Sequence, residues 1–130
     1  MAKHVFRYRT IAGQRAPILT IGVRLDAIWL PLDVYVDSGA AYSVLHAGVA
    51  EGVGFDYRRG QLLYLRTGDG STIPSYVNTV ELQIASERFA AQVAFSPRLG
   101  VGFNLLGRAS VSSQFAVCFH ERDGVFSFET

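Results

Sequence analysis

One aspartate occupies a position from which a side chain could act as an acid or base. Asp37 lies in residues 36–40, VDSGA, at the end of an alternating apolar stretch. Ser38 can fix the loop through hydroxyl hydrogen bonds, Gly39 lets backbone and substrate approach closely, and the small Ala40 leaves room beside the carboxylate. These residue types suit the presentation of a rigid acid.

The chemistry open to such a carboxylate is hydrolysis of a peptide, provided that a second acid stands beside it. Of two carboxyl groups that share a proton, the ionised one activates water and the protonated one polarises the carbonyl. Two charges about 3 Å apart repel by about 5 kcal/mol at an effective dielectric constant near 20, so the pair holds one proton over a broad pH range. The chain offers one good candidate for this task, because Asp69 in the GDGS run of residues 68–71 is interpreted as part of a solvated turn.

Other reactive side chains lack the neighbours that their chemistry needs. The three histidines do not have metal-ligand spacing, and Cys118 and His120 have no further ligands nearby in the sequence. Cys118 as a nucleophile would need a base and an oxyanion site, and no motif supplies them. Ser43 and the serines near Ser110 lack a nucleophile elbow, and residues 100–102 lack the continuation of a phosphate loop. We therefore expect no metal and no cofactor.

Composition limits the class of protein. A chain of 130 residues with 49% hydrophobic residues is suited to one domain spanning residues 1–130. A net charge of +1 without a basic run argues against nucleic acid or an anionic membrane surface as a partner. The single cysteine and the absence of a secretory signal predict a cytoplasmic location, although a longer membrane-anchored or polyprotein precursor stays open.

The sequence pattern predicts strands. Frequent glycines, β-branched residues and aromatic residues favour a mostly β chain, and the alternation over 28–36 leads to Asp37 at a strand end. Strands over 61–67 and 72–84 predict a long hairpin whose tip is 68–71. The pattern also predicts a further hairpin near 86–87, a loop at 97–102, one helical turn at 47–52, a short helix over 109–115 as the only real helix, and terminal strands at 115–119 and 125–128.

Two motifs carry a resemblance to a known family. Residues 34–45, VYVDSGAAYSVL, resemble the active-site signature of aspartic proteases, in which apolar residues precede Asp-Thr/Ser-Gly-Ala. Residues 104–108, NLLGR, resemble the second hallmark of retropepsins, an apolar pair followed by Gly-Arg that opens a short helix. Both motifs occur in the expected order with the glycine-tipped hairpin between them. Over residues 18–128 the chain therefore resembles retropepsin-like aspartic proteases, and it is most similar to bacterial and cellular members.

The resemblance implies an all-β, closed β-barrel-like fold with a flap hairpin and one short C-terminal helix. It implies a homodimeric endopeptidase in which Asp37 of each chain is the catalytic acid at the two-fold axis, with a peptide or protein as substrate. The residues that would support the active-site loop are Ser38, Gly39, Ala40, Leu106, Gly107 and Arg108. The residues of the flap that would cover the substrate are Gly68, Asp69, Gly70 and Ser71.

The chain departs from the family pattern at two positions, and two other interpretations stay open. Tyr35 is bulkier than the usual aliphatic residue, and Ala41 stands where many viral enzymes have an acid that pairs with the motif arginine. Arg108, interpreted as an ion-paired structural residue, therefore needs another partner. The alternatives are a non-catalytic peptide-binding or assembly domain with the same fold, and an unrelated small barrel in which Asp37 points to solvent.

Overall fold

The computed structural model describes all 130 residues, and most of them lie in strands. One α-helix, α1, and two 3-10 helices, Tyr57–Arg59 and Glu121–Asp123, complete the regular structure. No helix is both long enough and apolar enough to cross a membrane. The elements in chain order are β1 Lys3–Arg7, β2 Arg9–Ile11, β3 Gln14–Ala16, β4 Ile18–Leu25, β5 Ile28–Val36, β6 Ser43–His46, α1 Ala47–Glu51, β7 Gln61–Arg66, β8 Thr72–Ile84, β9 Glu87–Ser96, β10 Asn104–Leu106, β11 Ala116–His120 and β12 Val125–Glu129.

The largest sheet closes on itself. Its seven strands follow the order β4-β5-β10-β6-β9-β8-β7, and β4 pairs in addition with β8. This extra pairing turns six of the strands into a closed barrel and leaves β7 as an outer strand on β8. The predicted all-β, closed-barrel fold is therefore confirmed, and so is the long hairpin formed by β7 and β8.

Strand β5 positions the candidate acid. Val34 and Val36 are buried and alternate with the more exposed Asp33 and Tyr35, so the apolar face of the strand enters the core of 23 residues. Pro31 is tolerated because β10 pairs only with the last three residues of β5, which leaves the proline beside an open edge. The strand therefore ends with its side chains fixed in register, immediately before Asp37.

A second, three-stranded sheet brings the chain ends together. Its order is β1-β12-β11, and the N–H of Ala2 donates to the hydroxyl oxygen of Thr130 at 2.8 Å. Phe126 and Phe128 on the central strand are fully buried, and the ring of Phe128 contacts that of Phe115 edge to face. This aromatic cluster joins the terminal sheet to the barrel.

The segment after Arg108 differs from the prediction. The short C-terminal helix expected over 109–115 is a series of turns, with helix-type hydrogen bonds from the N–H of Ser112 to the Arg108 carbonyl and from the N–H of Phe115 to the Val111 carbonyl. Ser110 has φ of 67°, and a left-handed residue interrupts a right-handed helix. The one α-helix of the chain is instead α1, where the sequence predicted a single helical turn.

Candidate active site

Asp37 is held at the end of β5 by three hydrogen bonds. Its N–H donates to the Leu106 carbonyl at 2.9 Å, and its carbonyl accepts from the N–H of Ala40 at 3.1 Å. Its Oδ1 accepts from the N–H of Gly39 at 2.9 Å. Asp37 is part-buried as a residue and its Oδ1 is hydrogen-bonded to the loop, which does not match the solvent-directed side chain of the unrelated-barrel interpretation.

The two motifs form one unit. Strand β10 lies between β5 and β6, so that Leu106 pairs with Val36 and Leu105 with Val44. Beyond the strand, the N–H of Arg108 donates to the Ala40 carbonyl at 3.0 Å, and the N–H of Ala109 donates to the Ala41 carbonyl at 2.8 Å. The second motif therefore supports the loop of Asp37 from behind.

Gly107 is required by the closeness of that contact. A Cβ atom at this position would overlap the carbonyl group of Tyr42 and would lie 2.8 Å from the carbonyl oxygen of Ala40. Both neighbours are backbone atoms of the Asp37 loop, and the Ala40 carbonyl also accepts from the N–H of Arg108, so they cannot move aside without disturbing the loop. Only glycine allows the two segments to meet at this distance.

Ser43 fixes the loop with its hydroxyl group. Ser43 is almost completely buried, and its Oγ accepts a hydrogen bond from the N–H of Gly107 at 3.0 Å. Ser38 is exposed, and its side chain has no hydrogen bond within the chain. The role of Ser38 therefore stays a prediction, whereas the Ser43 bond, which depends on the register between β6 and the end of β10, was not predicted from the sequence.

Arg108 has no ionic partner within the chain. Its Nε lies 3.5 Å from the carbonyl oxygen of Ala40, and no carboxylate lies within 4.0 Å of its guanidinium. The interpretation of Arg108 as an ion-paired residue is therefore wrong for a single chain. Its contribution is the backbone and side-chain contact to Ala40, since Ala41 offers no carboxylate.

Asp69 organises the tip of the β7–β8 hairpin. Its Oδ1 accepts hydrogen bonds from the hydroxyls of Thr67 and Ser71, both at 2.6 Å, and from the N–H of Ser71 at 2.9 Å. The bonds from Ser71, followed by that from Thr67, lower the pKa of Asp69 to about 2. Gly70 has φ of 87°, which the turn requires. Asp69 is thus an ionised part of the turn, unsuited to sharing a proton with another acid.

A groove lies between the Asp37 loop and the hairpin tip. This groove has a volume of about 1070 Å³, and most of its lining residues come from three segments, the Asp37 loop, the hairpin tip and residues 98–103. Of the residues predicted from the sequence, the lining includes Asp37, Gly39, Ala40, Gly68, Asp69 and Ser71. The others are outside the lining: Ser38 and Gly70 are exposed, Leu106 and Gly107 lie behind the loop, and Arg108 follows them.

Several groove residues were not identified from the sequence. Tyr35 lines the groove with its ring 6.0 Å from that of Phe103, and Arg66 and Arg98 are the cations of the lining. Residues 97–102 were predicted only as a loop. A signal was present, since Leu99 and Val101 are apolar residues in a glycine-containing loop immediately before the second motif.

A second cleft, of about 820 Å³, is lined by arginines that already have partners within the chain. Arg24 faces Glu81, Arg59 faces Asp26, and Arg88 lies over the ring of Trp29. No group of three or more His, Cys, Asp or Glu residues is arranged to hold a metal ion. The candidate chemistry therefore rests on Asp37 and the groove.

Comparison with known proteins gives the family. The family profile described as aspartyl protease matches residues 22–109, which contain both motifs. A search of curated proteins gave no significant match. Among solved structures, the chain is similar to a retropepsin-like aspartic protease from Rickettsia conorii, with a TM-score of 0.66, 18% identity, and coverage of 98% of this chain and 90% of that one.

A viral enzyme shares the same fold. The chain is similar to the EIAV protease in complex with the inhibitor HBY-793, with a TM-score of 0.52, 20% identity, and coverage of 77% of this chain and 88% of that one. At these identities the two likenesses concern the fold, whereas the profile match covers more than half of the chain together with its motifs. The chain belongs to the aspartyl protease family and has the fold of its retropepsin-like members.

Proposed function

We propose that this protein is an aspartic endopeptidase whose active site forms at the two-fold axis of a homodimer, with Asp37 from each chain. The observation that carries the proposal is the position of Asp37: the second motif holds its backbone at a strand end, the N–H of Gly39 holds its carboxylate, and the residue lines a large groove beneath a hairpin tip. Asp69, the other acid of the lining, accepts hydrogen bonds from the hydroxyls of Thr67 and Ser71 in its own turn. A second copy of Asp37 therefore supplies the missing carboxyl group.

The reaction follows from two carboxyl groups that share one proton. The ionised group removes a proton from water as the water oxygen attacks the peptide carbonyl carbon, and the protonated group donates to the carbonyl oxygen. The C–N bond then breaks as the leaving nitrogen takes up a proton from the pair, while one hydroxyl group of the tetrahedral intermediate returns its proton to the pair, which again holds one proton.

The groove suits an extended peptide. Its floor is the Asp37 loop, its roof is the tip of the β7–β8 hairpin, and apolar side chains such as Tyr35, Leu99 and Phe103 line its walls. A peptide can bind between floor and roof through backbone hydrogen bonds, as an added strand would. In this proposal the hairpin tip acts as a flap that excludes water from the reacting bond.

The test replaces, one at a time, two carboxylates that lie four residues apart in the chain. Asp37→Asn keeps the size of the side chain but removes the acid, so cleavage of a mixed peptide library falls by at least about 100-fold while the fold is retained. Asp33→Asn is the matched control, because Asp33 lies on β5 four residues before Asp37 but pairs with Arg9 at 3.1 Å and does not line the groove. Continued cleavage by purified Asp37→Asn protein would refute the proposal.

The same preparation tests the non-catalytic alternative. Sedimentation at micromolar concentration, with and without bound peptide, determines whether two chains associate. A strict monomer that binds peptide without cleaving it favours a peptide-binding or assembly domain, since one chain cannot place two Asp37 side chains together. A dimer that cleaves peptide supports the endopeptidase.

A further inference from the structure

Two arginines of the groove have no partner for their charge. Arg66 ends β7 at the base of the hairpin tip, and Arg98 lies in the loop after β9. Both residues are exposed, no carboxylate lies within 4.0 Å of either guanidinium, and neither side chain makes a hydrogen bond. The arginines of the second cleft, in contrast, all contact a carboxylate or an aromatic ring.

Neither acid of the groove pairs with Arg66 or Arg98. Asp69 is ionised, but its Oδ1 is held by hydrogen bonds from its own turn and its carboxylate lies more than 4.0 Å from both guanidinium groups. In the proposed dimer two Asp37 carboxyl groups share one proton, so each chain contributes about half a negative charge at that point. Two guanidinium groups per chain therefore face the groove with five N–H donors each and no acceptor in reach.

We propose that Arg66 and Arg98 select peptides in which acidic side chains flank an apolar residue at the cleaved bond. The inference rests on the proposed function and names its substrate class. Apolar lining residues such as Tyr35 and Phe103 receive the apolar side chain near Asp37. A carboxylate further along the peptide matches the planar, two-donor face of a guanidinium, which a neutral amide does not.

A binding experiment tests the selection without relying on cleavage. Two fluorescent peptides, identical except for Glu or Gln on both sides of a central Phe, are titrated into the Asp37→Asn protein, and anisotropy gives the Kd. The Glu peptide binds more tightly by up to about fivefold for each guanidinium, the range for a partly exposed ion pair, and the preference shrinks at high salt. Equal or undetectable affinities for the two peptides overturn the inference.

Variants assign the preference to the two arginines. Arg66→Gln and Arg98→Gln each reduce the Glu-over-Gln ratio, and the double variant brings it close to one. Arg122→Gln is the matched control, because that side chain is 94% exposed on the turn between β11 and β12 and does not line the groove. An unchanged ratio in the double variant, or an equal loss in the control, contradicts the inference.

Cleavage by the unaltered protein separates this inference from the proposed function. Faster cleavage of the Glu peptide than of the Gln peptide, measured as kcat/KM, supports both. Equal cleavage of the two peptides overturns the inference and leaves the endopeptidase intact. Absence of cleavage across a mixed library overturns the proposed function, and the binding ratio then still reports whether the arginines select acidic peptides.

Discussion

The backbone N–H of Asp37 donates a hydrogen bond of 2.9 Å to the carbonyl oxygen of Leu106. This bond ties the candidate acid to a strand that arrives from the far end of the chain and lies parallel to β5. The position of the Asp37 backbone therefore depends on the β5–β10 pair, whereas the N–H of Gly39 in the Asp-Ser-Gly loop orients the carboxylate. Substitutions in the second motif should therefore alter the position of Asp37, although they replace no acidic residue.

Gly107→Ala should destabilise the protein. The new Cβ would overlap the carbonyl group of Tyr42 and press on that of Ala40, so the two motifs must separate, at a cost of about 1–3 kcal/mol or more in the free energy of unfolding. Urea denaturation measures this change.

Gly48→Ala is the control for that variant. Gly48 lies in α1, and a Cβ added there would have no neighbour within 4 Å. Alanine should therefore leave the free energy of unfolding unchanged or raise it by up to about 1 kcal/mol. Equal stabilities of the two variants would show that the motifs are not in close contact.

Ser43→Ala should also weaken the link between the motifs. It removes the acceptor of the Gly107 N–H and leaves that buried donor without a partner, which costs about 1–3 kcal/mol. Ser112→Ala, at an exposed serine in the turns after Arg108, should change the stability by less than about 0.5 kcal/mol. Equal stability of the Ser43→Ala and Ser112→Ala proteins would show that the Ser43 hydroxyl does not stabilise the contact between the two motifs.

The hairpin tip should remain ordered in mild acid. The pKa of Asp69 is lowered to about 2 in the folded chain, against an ordinary value of 3.8. A depressed pKa means that the carboxylate stabilises the tip fully above pH 3.8 and that this contribution is lost as the pH falls through about 2.

Carbon-detected NMR titration of the Asp69 carboxyl group, together with hydrogen exchange of the Ser71 amide, measures this dependence. The Ser71 amide should be protected above pH 4 in the unaltered protein, whereas Asp69→Asn should lose part of the protection at every pH, because an amide oxygen is a weaker acceptor than a carboxylate. A carboxyl group that titrates near pH 4 would contradict the hydrogen-bonded turn.

Local features of the fold could be predicted from the sequence. The alternation in β5, the glycine-containing tip of the β7–β8 hairpin and both motifs depend on residues close together in the chain. The helix expected after Arg108 was wrong because the left-handed φ of Ser110 is set by its surroundings, including the bond from the N–H of Gln92 to the Ser110 hydroxyl. No periodicity in the sequence reports such a contact.

The groove could be predicted only in part. Asp37 and the hairpin tip were identified because their motifs are compact, whereas Arg66, Arg98 and Tyr35 enter the lining from three different segments. The hydrogen bond between the Gly107 N–H and the Ser43 hydroxyl was not predicted for the same reason, since Ser43 reaches Gly107 only once β6 and β10 have paired. Contacts between distant segments require the register of the sheet, which one sequence does not give.

Mixing active and inactive chains tests the central claim most directly. Unaltered protein and Asp37→Asn protein are combined in varying proportion at constant total concentration, allowed to exchange subunits, and assayed for peptide cleavage. If two Asp37 carboxyl groups make one active site, activity follows the square of the unaltered fraction, so an equal mixture retains about one quarter of the full rate. A rate that falls in direct proportion, to about one half, would show that one chain suffices and would contradict the shared site.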